Sequence, residues 1–299
     1  MWEEHLHILD GALYHALIFL GLAFLLGHVV WRRFIDARGH PDGIEGTFVI
    51  AGACMVGLGP LLGLLQGIAI MELEYRPSDA WLVMAHTMFG RTLVVQGALA
   101  YLVVSMRLAD WWRASGGRTG TTDTLLLMVA GAALVALTAL GHASRNGLLS
   151  WPMLTQSLHI ISAALWTAGL LLVMERLVRR QWGRLGLHLR RFSRLALISF
   201  LFLVPAGVAR AWANLNGLSD LTTPYGAALA LKLVFVLGVL GVAAGHHVWR
   251  LPALQPDPVP DTMWVGMDRW VMLEVFLVLM VILLSTLLAQ LPLPGYDLF

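Results

Sequence analysis

The chain has 299 residues, of which 58% are hydrophobic and 13% charged, with a formal net charge of +2. Soluble domains carry roughly a quarter charged residues, so most of this chain has no polar surface to offer water, and the small net charge gives no ground for a nucleic-acid partner. One cysteine, Cys54, excludes an intrachain disulfide and a multi-thiolate metal site. It sits in an apolar run and is read as a small hydrophobe. The first residues, MWEEHLH, carry Glu3 and Glu4 where a signal peptide would be positive. The first apolar run is therefore expected to be a retained helix.

A membrane-crossing helix needs about 20 mostly apolar residues. In chain order the runs that qualify are 11–31, 47–70, 81–106, 124–143, 152–175, 192–214, 224–248 and 269–291. The segments between them are too short for a soluble domain. The expected fold is all-α: a single membrane domain over 1–299, an eight-helix bundle with four helices in 1–143 and four in 144–299. Arg32, Arg33 and Arg38 follow the first span, Arg107, Arg113 and Arg118 the third. Arg176, Arg179, Arg180, Arg184, Arg190, Arg191 and Arg194 follow the fifth, and Arg250 and Arg269 flank the loop after the seventh. Only Arg76 and Arg145 stand in the opposite loops. Such an imbalance places the Arg-rich side in the cytoplasm, with both termini outside, as in a bacterial inner membrane. The outer segments hold Glu3, Glu4, Asp10, Glu72, Glu74, Asp79, Asp220 and Asp297, an acidic face that attracts cations. Trp2, Trp81, Trp151 and Trp212 near outer boundaries, and Trp31, Trp111, Trp112, Trp249 and Trp270 near inner ones, are read as interfacial anchors in the lipid bilayer. The glycine-rich run 52–63 reads as a close helix-packing surface.

Ionisable groups at membrane depth are costly and therefore mark function. At ~1.5 Å per residue, His15 and His86 lie about one turn below the outer surface. His142 ends the fourth span there, and His159 lies about two turns down the fifth. Four helices thus bring a histidine to one outer layer, while His28, His246 and His247 lie near the inner surface. Imidazole suits copper, zinc and haem iron. Arg91 is expected near mid-membrane. Lys232, the chain's one lysine, is expected two turns into the seventh span from outside, and Glu274 two turns into the eighth from inside. A Lys232–Glu274 pair across adjacent helices is one way to satisfy both.

Particular segments carry a resemblance. GHAS at 141–144, SLHIISAALWTAGL at 157–170, RRFSRLALISFLFLVPAGVARAW at 190–212, TPYGAALALK at 223–232 and DRWVMLE at 268–274 occur in order, followed by QLPLP near the end. Together, over about 140–292, they resemble CopD, the copper-resistance inner-membrane proteins. The resemblance puts the family's Gly-His and Leu-His positions on His142 and His159, which makes these two the favoured ligands. Trp166, seven residues after His159, shares its helix face and would wall the site. Where the family has paired glycines after this Trp, this chain has Thr167, Ala168 and Gly169. The resemblance implies copper as cargo and a periplasmic copper-binding partner of the CopC type.

Three functions compete. In the first, a copper transporter binds its cargo at His142 and His159, helped by His86 or His15, and passes it inward past Arg91, Lys232, Glu274 and Trp166. No ATP-binding loop is present in the sequence, so gradients, potential or partner exchange would drive it. In the second, paired histidines hold haem b in a membrane oxidoreductase. In the third, the protein is structural and its histidines are interfacial. The orientation is checked by reporter fusions: alkaline phosphatase placed after residues 76, 147 and 220 should be active, and after 38, 115 and 182 inactive. The reverse pattern would invert every assignment of sides.

Overall fold

A computed structural model describes residues 2–35, 45–112, 120–139, 147, 149–180, 185–215, 217–250, 252 and 266–294. Nine α-helices lie in these residues: α1 (Trp2–Val30), α2 (Glu45–Ile70), α3 (Pro77–His86), α4 (Met88–Trp112), α5 (Gly120–Ala139), α6 (Trp151–Val178), α7 (Leu185–Asn214), α8 (Pro224–Gly245) and α9 (Met267–Leu288). Short π-helical turns follow α1 (Trp31–Ile35) and α8 (His246–Arg250). All except α3 are long and apolar enough to cross a membrane, giving eight spans. The protein is an all-α polytopic membrane protein.

The centre of the bundle is α1. It packs on α2, α6, α9, α5 and α4, and 61% of its apolar window is buried inside the protein, against 11% for α8. Ile18, Leu22, Leu25 and Val29 are fully enclosed. Lipid offers no hydrophobic drive between helices, so close backbone approach and dispersion must hold them. The α1–α2 crossing supplies that approach. A Cβ on Gly21 would lie 2.9 Å from the Gly52 carbonyl, and one on Gly52 would lie 2.8 Å from the Gly21 carbonyl. One helical face further along, Gly59 and Gly63 lie against Ile18 and Tyr14. The run 52–63 is thus the packing surface expected, whereas Gly57 in the same run faces open space. In the second half, α6 carries α7 while α8 rests chiefly on α9.

Two expectations change. The third apolar run is two helices, not one. Thr87 adopts an extended backbone (φ −108°, ψ 150°). Its hydroxyl donates to the Val83 carbonyl (2.7 Å) and accepts from Gly90 N–H (2.8 Å), capping α4 at its start. The turn is tight enough that a Cβ at Gly90 would clash with the Val83 carbonyl. The span therefore begins at Met88, and Arg91 stands in its first turn, exposed, with Nε donating to the Ala85 carbonyl (2.8 Å). It is not a mid-membrane residue. Second, Trp31 is not a lipid anchor. It is 2% exposed, covered by the Arg176 guanidinium at 4.6 Å and met edge-on by His188 at 5.0 Å. Trp81, Trp112, Trp151, Trp212, Trp249 and Trp270 are exposed, as anchors require. Cys54 faces outward from α2, consistent with a small hydrophobe on a membrane span.

The crossing predicts a pair of opposite outcomes. Gly52→Val should destabilise the protein by about 1–3 kcal/mol or more, as overpacking does, while Gly57→Val should leave the melting temperature in detergent nearly unchanged. Thermal unfolding monitored by helical circular dichroism checks both. Equal losses would remove the crossing from its central place.

Candidate functional site

The bundle has an Arg-poor end, where α6 and α8 begin, and an Arg-rich end, where they finish. Polar groups gather in separate places at the two ends. At the Arg-poor end, α1, α2 and the end of α9 meet through side chains. The His15 Nδ1–H donates to the Gly11 carbonyl (2.9 Å), and its Nε2 accepts from the Tyr14 hydroxyl (3.1 Å). Gln290 Nε2 lies 3.3 Å from His15 Nδ1, and Gln66 Nε2 donates to Gln290 Oε1 (3.3 Å). Gly11 leaves the room for both amides, since a Cβ there would strike Gln66 and Gln290. Both ring nitrogens of His15 are thus engaged, so it acts as a structural strut between helices.

His159 is arranged differently. It projects from α6 towards α7, where Gly207 has no side chain to exclude it: a Cβ at Gly207 would lie 3.0 Å from the ring. The ring's Nδ1–H donates to the Leu203 carbonyl at 2.9 Å. That bond sets the tautomer and leaves Nε2 with an unshared lone pair, the arrangement in which histidines bind metals. Arg210 and Lys232 stand within electrostatic reach of the ring and of one another. Beyond them the Asn214 side-chain amide donates to the Tyr225 hydroxyl (2.6 Å), tying the end of α7 to the start of α8. This end of the bundle is therefore locally positive around one available imidazole nitrogen.

At the Arg-rich end a cavity opens between α6, α7, α8 and α9, walled by Trp166 and Phe192 and carrying Ser193, His246, His247 and Glu274. Trp166 packs on Phe200 with ring centres 4.8 Å apart. It lies on His159's helix, two turns nearer the Arg-rich end, and its indole Nε1 is buried without a hydrogen-bond partner. Glu274 is 5% exposed, and its carboxylate lies 3.7 Å from His246 Nε2. Ser193 Oγ lies 2.9 Å from His247 Nδ1. The expected Lys232–Glu274 pair is not formed: Lys232 lies with Arg210 and His159, and Glu274 with His246. The depth difference, several residues along adjacent helices, separates them.

Of the four histidines expected in one outer layer, His142 lies outside the described residues. His86 ends α3 and is exposed, ahead of the span. His15 is on the α1–α2–α9 side and His159 on the α6–α7 side. Among the described residues no three His, Cys, Asp or Glu side chains converge on one point. The sequence reading missed His246 and His247 as partners of the buried acid. The adjacent His-His pair was visible in the sequence, but the π-helical turn that carries both, and their partners, are seen only in the structure.

The architecture and polar interior are those of a polytopic membrane protein. The second half carries the family signature. A model of the family described as Copper resistance protein D matches residues 186–288, covering α7, α8 and α9 and so Lys232, His246 and Glu274. His159 and the motifs at 141–144 and 157–170 precede the matched stretch. The chain is also 26% identical to the inner membrane protein YebZ of Escherichia coli (strain K12) over 217 residues, 70% of this chain and 72% of that protein. No solved structure matches the chain.

The tautomer assignment has a direct check. In protein labelled with nitrogen-15 at histidine, His159 should appear as the Nδ1-protonated form, identified by its loss in His159→Gln. Gly207→Val should abolish that signal by displacing the ring. A His159 protonated at Nε2, or one indifferent to Gly207→Val, would contradict the geometry.

Proposed function

We propose that this protein is an inner-membrane copper-handling protein that binds copper near the Arg-poor, periplasmic face and moves it inward. The observation that carries the reading is the His159 imidazole, held inside the membrane span with Nδ1 fixed by a backbone carbonyl and Nε2 available. The CopD match over α7–α9 supports copper as the metal. His142 and His86 remain the proposed helpers, with Arg91 at the entrance, whereas His15, with both ring nitrogens engaged, is left to its structural role. A periplasmic carrier of the CopC type would deliver the cargo. The acidic outer segments would draw cations to that face. From His159 the cargo would descend along α6 to the cavity walled by Trp166, where Glu274 offers the opposite charge.

The positive pair Arg210 and Lys232 sets a condition on this route. A bare cation beside His159 is repelled, so copper there carries an anionic co-ligand. The same pair favours a second reading, haem b. His159 Nε2 would hold its iron, and Arg210 and Lys232 would neutralise its carboxylates. Bound haem would supply one-electron chemistry, and this chain's residues would orient it.

The two readings predict opposite effects of one substitution. If copper is the cargo, cells expressing the protein accumulate copper above vector controls, and His159→Ala returns them to the control level. Lys232→Gln then tightens severalfold the binding of copper supplied with only weakly coordinating anions, because a charge that repels the bare cation is gone. If haem is held, the purified protein shows a Soret band that His159→Ala removes and Lys232→Gln weakens. Copper accumulation unaffected by His159→Ala, with no Soret band, would overturn both and leave a structural role.

A further inference from the structure

The cavity at the Arg-rich end contains a second arrangement that the sequence did not disclose. Glu274 is the only acid among the described residues that line the cavity and is nearly enclosed. His246 Nε2 is also buried and makes no hydrogen bond. The two face each other at 3.7 Å. That distance is too long for a hydrogen bond, which ends near ~3.2 Å. It is the spacing of two ligands about one metal ion: with metal–ligand bonds of about 2.1 Å, neighbouring donor atoms stand about 3.4 Å apart at a tetrahedral angle and about 3.6 Å at a trigonal one.

The backbone is built to produce this facing pair. At Gly245 the α-helix of α8 gives way to the π-helical turn His246–Arg250. Both histidines border the cavity. His246 reaches α9 through Glu274, and His247 reaches α7 through Ser193. Along its length α8 leans chiefly on α9, and it meets α7 through Tyr225 and Asn214 at the Arg-poor end and through His247 and Ser193 at the mouth of the cavity. The lining contributed by α6 and α7, namely Trp166, Leu170, Val173, Leu189, Phe192, Ser193 and Ala196, contains no ionisable side chain. The site's charge is set by Glu274 and the two imidazoles, with Arg250 near His246.

We propose that His246 Nε2 and the Glu274 carboxylate form a second transition-metal site, an inner station from which copper leaves towards the cytoplasm. The proposal rests on the copper reading for the identity of the ion, but not on His159. A neutral imidazole and one carboxylate match a borderline divalent cation and offset its charge in a place that is otherwise costly for charge. Two protein ligands leave the remaining positions to water or to an incoming acceptor, as in sites that keep an open position for exchange. The converse of a closed structural site, it would bind weakly enough to release. It complements the outer end, where the surroundings of His159 are positive.

The test is Cu(II) binding to the full-length protein in nanodiscs, by equilibrium dialysis with elemental analysis and by electron paramagnetic resonance. It is made in the His159→Ala background so that the inner site is read alone. The expected result is about one bound equivalent with nitrogen hyperfine structure, its affinity falling at least tenfold on adding His246→Gln, and likewise on adding Glu274→Gln, as loss of one of two ligands requires. Both replacements approximate the size of the original side chain, and an unchanged size-exclusion profile and helical signal establish that each variant is folded. Copper binding in the His159→Ala background that is absent, or indifferent to both replacements, overturns the inner station. Wild-type binding indifferent to His159→Ala but lost in His246→Gln overturns the outer site instead and upholds this one.

Discussion

A polar group inside the hydrocarbon layer has only the protein to bond to, and leaving it unpaired costs several kcal/mol. Much of the bundle's internal order follows from meeting that demand locally. Hydroxyls turn back onto their own helices, as Thr155 does to Trp151 and Ser285 to Val281. The single break in an apolar run is sealed by Thr87, whose hydroxyl serves both helix ends. Arg191 reaches the Ile35 carbonyl at the end of the first helix, joining α7 to the turn after α1. Against this background the groups that are not fully engaged stand out. His246 Nε2 is buried without a hydrogen-bond partner, and His159 makes its hydrogen bond through Nδ1 alone.

The two places differ in electrostatic character, and under the proposed copper reading that difference favours inward movement. Around His159 lie Arg210 and Lys232, whereas around His246 lies an enclosed carboxylate. A cation accompanied by an anionic ligand is tolerated at the first and, stripped of it, is stabilised at the second. Trp166 and the apolar faces of α6 and α7 lie between them, so exchange is expected to be stepwise, from site to site, rather than along a continuous wet channel.

Much of the fold was legible because spans are read from length and hydropathy, and seven of the eight runs correspond to single helices. The third misled because AWLVMAHTMFGR keeps its apolar average across the break. The evidence for the break is in chemistry, not hydropathy: a Thr able to cap, followed three residues later by a glycine where a side chain would hit the backbone. Trp31 was misplaced for a related reason, since a Trp at a span's end is equally suited to lipid or to stacking under an arginine. The partners of Glu274 and Lys232 were not legible, because which helices touch is not encoded in any one helix's pattern. The favoured histidine His159 was found through its motif, but what singles it out, the Leu203 carbonyl and the space at Gly207, comes from another helix 44 residues away.

The central claim is that His159 Nε2 is a copper ligand. Copper K-edge X-ray absorption on the purified, copper-loaded protein tests it most directly. The account predicts outer-shell imidazole scattering whose amplitude falls in His159→Gln, with iron absent from the sample. An unchanged copper spectrum in that variant, or an iron edge in place of copper, would contradict it.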